Sequence, residues 1–223
     1  MDKQLAKKGL IRFGIGVIAV MLLLFLPAGS LRYAGGWRFL LVLFLPMLIM
    51  GLILLKKDPA LLEKRLDAKE KQETQKIVVL LSLLMFLGGF ILAGLDFRFD
   101  WVQLPRIVSR IAVVIFLAGY AMYAEVMREN TYLSRTVGVS EGQKVVDTGL
   151  YGIIRHPMYT ATILMFTMIP LILGSLAALP VFLLYPAIIV RRIGNEEQVL
   201  AEELPGYDAY LKKVKYRLFP KIW

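Results

Sequence analysis

Four long apolar runs occupy most of the first 130 residues, and they restrict the fold more than any other feature of the chain. The first run ends at Leu26, and the others cover 37–55, 77–95 and 105–127. About 20 apolar residues in a helix cross the ~30 Å hydrocarbon core of a bilayer. That core contains no water to bind backbone polar groups, and a helix satisfies those groups internally. The runs therefore predict four transmembrane helices.

Two further apolar segments, 157–173 and 176–193, are separated by Gly174 and Ser175. At 1.5 Å per residue each reaches roughly 25–27 Å, slightly less than the hydrocarbon core. Pro157 suits the first turn of a helix, where its missing N–H is no loss. We therefore predict a C-terminal helical hairpin. The whole chain is then an all-α integral membrane protein with about six membrane-entering helices.

Composition excludes several kinds of site. The chain has no cysteine and one histidine, which excludes disulfides, thiolate metal sites, cysteine nucleophiles and histidine-rich clusters, so we expect no metal. A formal charge of +10 would suit nucleic acid. The basic residues, however, lie between apolar spans instead of along one polar face. We expect the membrane as a partner and no nucleic acid.

The basic residues also predict the orientation, because cytoplasmic loops of membrane proteins are enriched in Lys and Arg. With the N-terminus inside, 22 of the 27 basic residues fall on the cytoplasmic side, in 3–12, 56–76, 128–155 and 191–221. Five arginines remain for the other side. We expect a bacterial inner-membrane protein with both termini and the active site cytoplasmic, and a first apolar run that is retained as an anchor.

Shorter signals give local predictions. Residues 56–76 are strongly charged with leucines at helical spacing, which predicts an interfacial amphipathic helix without a ligand role. Gly88 and Gly89 predict a close helix contact. Glu125 and Arg128, three residues apart, are expected to form an ion pair.

Two polar clusters flank the predicted hairpin. Arg155 and His156 precede Pro157, at a helix start whose unpaired N–H groups attract anions. The second cluster, 191–197, follows the other arm. A hairpin returns both clusters to one membrane face, so we expect them to meet. Residues 130–148 lack helical periodicity and are predicted to form a loop that covers this site.

Several motifs follow one another in a fixed order. They are Val145-Val146-Asp-Thr-Gly149-Leu-Tyr151, Arg155-His156-Pro157-Met-Tyr159, Arg192 with Glu196-Glu197 and Leu200, and Gly206-Tyr207 with Tyr210. In this order the chain resembles the integral-membrane methyltransferases that include isoprenylcysteine carboxyl methyltransferase and the bacterial phospholipid N-methyltransferases. The resemblance covers roughly 105–219. We divide the chain into N-terminal helices, 1–104, and a methyltransferase core, 105–223.

The resemblance implies that the chain binds S-adenosyl-L-methionine. The family's cofactor-binding positions match Val145, Val146, Tyr151, His156, Tyr159 and Glu196, and we add Arg155 to this set. Chemically, His156 and the adjoining helix start suit the cofactor's carboxylate, and Glu196 suits its ammonium. The rings of Tyr151 and Tyr159 suit the sulfonium, and the backbone of the valine pair suits the adenine edge.

In the resembling family an arginine that matches Arg192 contacts the substrate, and we predict Arg192 as the catalytic residue. It lies four residues before Glu196, on the same helix face, and a guanidinium grips a carboxylate through two hydrogen bonds. A carboxylate acceptor is already ionised, so the reaction needs positioning and desolvation but no general base. Arg191 is predicted to be a positive-inside residue that helps to orient the chain in the membrane. Glu197 is predicted to be a solvated neighbour of Glu196.

The predicted function is methyl transfer to a lipid or lipidated acceptor that enters sideways from the bilayer. A carboxylate acceptor, as in isoprenylcysteine O-methylation, is favoured because an amine would sit poorly against Arg192. Gln143 stands where prenylcysteine enzymes commonly have a histidine. A phospholipid amine N-methyltransferase, an NADPH-dependent enzyme like the membrane sterol reductases, and a non-enzymatic membrane protein remain as alternatives. Tyr207 and Tyr210 are predicted to be packing residues of the tail.

Overall fold

The computed structural model describes residues 3–66, 73–102, 104–134 and 136–223, without the side chains of 73 and 74. The helices within these ranges are α1 Lys3–Ala28, α2 Ala34–Lys57, α3 Pro59–Leu66, α4 Glu73–Phe99, α5 Arg106–Glu129, α6 Pro157–Leu173, α7 Leu179–Phe182, α8 Tyr185–Glu203 and α9 Tyr207–Lys213. A 3-10 turn covers Gly149–Gly152. The described residues contain no strand, so the predicted all-α class is confirmed.

Four helices in the described part of the chain, α1, α2, α4 and α5, are long and apolar enough to cross a membrane. Their outward side chains are large and apolar: Leu10, Leu41, Leu83 and Val114 are each more than half exposed. Such side chains would form an oversized apolar patch in water, whereas in a bilayer they face lipid tails. The chain is therefore an integral membrane protein, and the four predicted spans are confirmed.

One apolar core joins the helices of both predicted parts of the chain. Its fully buried members include Leu24, Phe39, Phe116, Ile172, Phe182 and Ile193. Aromatic rings meet across helices, with centroids 6.3 Å apart between Phe39 and Phe116 and 5.8 Å apart between Phe90 and Phe182. The division at 104/105 remains a prediction.

The end of α6 lies beside the connections at one end of the bundle. The hydroxyl of Tyr33, between α1 and α2, donates to the carbonyl of Leu173 at 3.0 Å. The hydroxyl of Ser175 donates to Asp96, near the end of α4, at 2.5 Å. Gly174, with φ of 83°, ends α6 in the left-handed conformation that glycine adopts readily. The turn therefore sits at the end of the bundle opposite to the start of α6, as a hairpin requires; six membrane-entering helices remain a prediction.

The second arm of the hairpin differs from the prediction. Segment 176–193 is not one helix: α7 covers four residues, and α8 starts at Tyr185 and continues past 193 to Glu203. The cause is proline, which lacks the N–H that a helix interior needs. Pro180 and Pro186 stand in the first turns of α7 and α8, where that loss costs nothing.

The described part of the connection between α2 and α4 contains the short helix α3. α3 begins after Asp58, whose carboxylate accepts the N–H of Leu61 at 3.0 Å and so caps the helix. Leu61 is fully buried. Of the helix predicted over 56–76, α3 forms the middle and the first turn of α4 forms the end, while 67–72, with Lys69 and Lys71, lie outside the described residues, as does Arg135 of the topology prediction.

Of the two adjacent glycines, only Gly89 makes the predicted close contact. A Cβ at Gly89 would lie 2.5 Å from the ring of Phe182, whereas a Cβ at Gly88 would meet nothing within 4 Å. We expect Gly89→Ala to lower the thermal unfolding temperature in detergent, because overpacking a filled core costs ~1–3 kcal/mol. The matched control Gly88→Ala should be neutral or slightly stabilising, since alanine favours the helix. Equal melting of the two variants would contradict this packing.

Candidate functional site

A half-open pocket lies where loop 130–148 meets the start of α6 and the second half of α8. It encloses about 100 Å³, and about 820 Å³ when its open mouth is included. All seven residues predicted to bind the cofactor line it: Val145, Val146, Tyr151, Arg155, His156, Tyr159 and Glu196. The two polar clusters therefore meet, and the loop covers the site, as predicted.

Tyr159 connects α6 to the face of α8 that carries the predicted arginine. Its hydroxyl donates to the carboxylate of Glu196 and accepts from Nε of Arg192 at 2.7 Å. The Arg192 guanidinium carbon also lies 5.8 Å from the centre of the Tyr159 ring, within cation–π range. Arg192 and Glu196 therefore share one helix face, as predicted. Arg192 does not line the pocket itself but contacts Tyr159, which does.

The prediction for Glu197 is wrong, because this carboxylate is buried. Its Oε1 accepts from Nε of Arg155 at 2.7 Å and lies 3.0 Å from Nε2 of His156, and its Oε2 accepts from Nε of Arg217 at 2.9 Å. Successive residues of a helix point about 100° apart. When α8 turns Glu196 towards the pocket, Glu197 therefore turns inward to α6 and the C-terminal tail. Its partners come from distant parts of the chain, so the local sequence does not identify them.

Three cationic or hydrogen-bonding partners keep Glu197 ionised. Burial raises the pKa of the Glu197 carboxyl, but hydrogen bonds from His156 and Arg217 and the charge of Arg155 lower it further, to about 2. The carboxylate is therefore charged throughout the neutral range. It fixes the His156 ring by holding one of its two nitrogens.

The C-terminal tail fixes the backbone of the same corner. The N–H groups of Arg155 and His156 donate to the carbonyls of Tyr216 and Arg217, each at 2.9 Å. The guanidinium of Arg155 also donates to the carbonyl of Val214 at 3.1 Å. Arg155 thus lines the pocket with its charge directed towards Glu197 and the tail; its predicted cofactor role stays a prediction.

The turn that carries Tyr151 depends on glycine. Gly149 has φ of 49°, and a Cβ there would lie 1.4 Å from a carboxylate oxygen of Glu129. Glu129, at the end of α5, accepts the N–H of Leu150 at 3.1 Å, and Asn130 donates to the hydroxyl of Tyr151 at 3.1 Å. Burial raises the pKa of that hydroxyl, so it stays neutral. The turn at Gly149–Gly152 therefore holds Tyr151 at the pocket.

Tyr207 and Tyr210 are packing residues, as predicted. Both are buried in a small apolar cluster with Leu204 and Val214, and the Tyr210 hydroxyl donates to the carbonyl of Tyr151 at 2.8 Å. The two rings also line the pocket. The predicted ion pair between Glu125 and Arg128 is present as well, on an exposed surface away from these residues.

Sequence reasoning predicted a covering loop over 130–148 but named no individual lining residue in its first part. Asn130 and residues 132–134 and 136–138 line the pocket. Glu129 ends the apolar helix α5 and Asn130 follows it, and this position was the available signal. That position does not indicate that the partners of Glu129 and Asn130 lie in the turn at 149–152. Among the described residues, no group of three or more His, Cys, Asp or Glu side chains could hold a metal ion.

Comparisons with known proteins concern the part of the chain that builds this site. Residues 111–202 match the model of the isoprenylcysteine carboxyl methyltransferase (ICMT) family, and this segment contains all eight predicted site residues. A Delta(14)-sterol reductase, TM7SF2 of Mus musculus, is 29% identical over 91 residues, which are 40% of this chain and 22% of that protein. The chain thus matches about a fifth of the length of this relative.

Proposed function

We propose that this chain, whose residues 111–202 match the isoprenylcysteine carboxyl methyltransferase family, transfers a methyl group from S-adenosyl-L-methionine to a lipid-like acceptor in the membrane. The family assignment supports a membrane methyltransferase. The identity of the cofactor, the identity of the acceptor and the orientation of the site in the membrane are proposals. The observation that carries the proposal is the gathering of seven predicted cofactor residues around one pocket.

The groups on the pocket wall fit the cofactor's charges. The Glu196 carboxylate suits the ammonium through a charge-assisted hydrogen bond, and the Tyr151 and Tyr159 rings suit the sulfonium. Nε2 of His156 is taken by Glu197. As an imidazolium, which donates from both ring nitrogens, His156 would also offer the N–H of Nδ1 to the cofactor's carboxylate. The backbone N–H groups of Arg155 and His156 are already bonded to the tail, so the start of α6 would attract the carboxylate through its dipole and not through those two groups.

When bound, S-adenosyl-L-methionine supplies an electrophilic methyl group, and the residues of this chain position the acceptor. Arg192 would orient an acceptor carboxylate beside Tyr159, which holds the guanidinium at Nε. A cationic amine would be repelled by that guanidinium, so we favour a carboxylate, with a phospholipid amine as the alternative. Catalysis would then consist of alignment and exclusion of water.

The first test is cofactor binding by calorimetry in detergent. The purified protein should bind S-adenosyl-L-methionine or its demethylated product, and Glu196→Ala should weaken binding about tenfold or more, because it removes a hydrogen bond to a charged group. Glu203→Ala, at an exposed position of the same helix, is the matched control. Absence of binding by folded wild-type protein at millimolar cofactor would overturn the proposal.

The similarity to a sterol reductase favours one second candidate, a nicotinamide-dependent reductase. The same calorimetry with NADPH separates the two. A heat of binding with NADPH, together with no heat of binding with S-adenosyl-L-methionine, would favour the reductase. We expect the reverse, because the pocket wall carries a carboxylate and two tyrosine rings suited to an ammonium and a sulfonium.

The orientation is tested with single cysteines, since the chain has none of its own. Glu141→Cys and Lys212→Cys, both at exposed positions at the pocket end, should resist a membrane-impermeant thiol reagent in intact cells. Arg32→Cys, exposed in the α1–α2 connection at the opposite end, should react. The distribution of basic residues favours a cytoplasmic pocket end. Labelling of Glu141→Cys from outside would contradict a cytoplasmic site.

A further inference from the structure

We propose that Arg65 of α3 is a positioning residue: it fastens the pocket wall at 130–138 to α5 and α6 and thereby sets the affinity for the cofactor. The inference rests on the proposed function for the identity of that cofactor. Arg65 lies outside the segment that matches the family. The charged connection that contains it was predicted to have no ligand role, so this assignment comes from the structure alone.

The Arg65 guanidinium contacts three separate elements. One terminal nitrogen donates to the carbonyl of Ser134 at 3.1 Å and lies 3.9 Å from the sulfur of Met158. The other donates to the hydroxyl of Tyr123 on α5. The guanidinium carbon also lies 5.5 Å from the centre of the Tyr123 ring. A planar cation with donors in a fixed fork is suited to hold such a set together, whereas a lysine ammonium is not.

These contacts fall on the pocket wall. Ser134 and Met158 both line the pocket. The neighbouring cation on α3, Lys64, lies 5.7 Å from the ring centre of Tyr132, which is a further lining residue. α3, which lies outside the family-matched segment, therefore contacts the pocket wall through two neighbouring cations.

α3 presents Arg65 from a fixed position. Asp58 caps its first turn, Leu61 is fully buried, and Leu66 packs on α1 at Gly9, where a Cβ would lie 3.9 Å from its Cδ1. The described residues of 130–138 form no helix or strand, so the wall has no regular backbone ladder to hold it. A charge-assisted hydrogen bond from a packed helix to a loop carbonyl therefore limits local opening of segment 130–138.

The test combines cofactor affinity with amide exchange. Arg65→Ala should weaken binding of S-adenosyl-L-methionine about tenfold, and Arg65→Lys should recover only part of the loss, because it keeps the charge without the fork. Tyr123→Phe should weaken binding as well, and the double variant should lose less than the two single losses combined, since both act through one contact. Glu63→Ala, at an exposed position of α3, is the control.

Hydrogen–deuterium exchange of the peptide covering 130–138 gives a readout without cofactor. It should be faster in Arg65→Ala than in wild type and unchanged in Glu63→Ala, with the transmembrane helices protected equally in all three. Unchanged exchange would overturn the inference, and so would faster exchange with unaltered affinity. Failure of wild-type protein to bind the cofactor would overturn the proposed function and, with it, the cofactor role of Arg65, while exchange would still report whether Arg65 holds the wall.

Discussion

Arg192→Ala is expected to lower the turnover number at least about a hundredfold, the usual loss when one donor to the reacting group is removed. Its affinity for S-adenosyl-L-methionine should change little, because Glu196 keeps its own bond to Tyr159. Turnover is measured with labelled cofactor and a prenylcysteine analogue, alongside calorimetric binding. A fall in turnover with unchanged binding places Arg192 on the acceptor side of the site.

Two further variants sharpen this result. Arg191→Ala removes an exposed guanidinium one residue away, pointing about 100° from Arg192, and should retain full turnover. Arg192→Lys keeps the charge but loses the fork that binds a carboxylate through two bonds, so it should remain strongly impaired. Equal turnover in wild type and Arg192→Ala would show that another residue orients the acceptor.

Glu197→Gln should cause the largest loss of stability of any single change at the site. It preserves the size of the side chain but leaves the nearly buried guanidinium of Arg155 without its counter-charge. Removing one member of a buried ion pair costs about 3–5 kcal/mol. The thermal unfolding temperature in detergent should fall clearly, and cofactor binding should weaken because Arg155 and His156 lose their anchor.

The adjacent carboxylate provides the control. Glu196→Gln should lower cofactor affinity with a much smaller effect on unfolding, since Glu196 faces the pocket and is only partly buried. The two neighbouring glutamates therefore separate binding from stability. If both variants melt at the same temperature, the buried ion cluster does not contribute to the fold as described.

The low pKa of Glu197 also sets an acid dependence. A carboxylate whose folded pKa, about 2, lies below its ordinary value of 4.5 stabilises the fold fully above pH 4.5. That contribution decreases as the pH falls from 4.5 towards about 2. The difference in unfolding temperature between wild type and Glu197→Gln should therefore be constant from pH 7 to 5 and shrink below pH 4.5. A constant difference down to pH 3 would contradict the assignment.

The sequence by itself determined the membrane helices and identified seven of the residues that line the pocket. Long apolar runs must become helices in lipid, because no other local structure satisfies the backbone there. α2, α4 and α5 therefore lie within a few residues of their predicted limits, and α1 ends close to its predicted limit but begins at Lys3, ahead of the basic residues that precede its apolar run. The resemblance to a known family implied which residues would line the pocket. The hairpin predicted that the clusters at 155–156 and 191–197 would meet, because a hairpin returns its two ends to one membrane face.

Only the tertiary structure decided how those residues are held. The partners of Arg155 and Glu197 in the tail, and the reach of Arg65 from α3 to Ser134, join residues between 20 and 69 positions apart. Whether Glu196 or Glu197 faces the pocket depends on the rotation of α8, which is set by its packing and by the restart at Pro186. A hydropathy profile cannot show such contacts, because it assigns a charged residue the same value whether the side chain faces water or a buried partner.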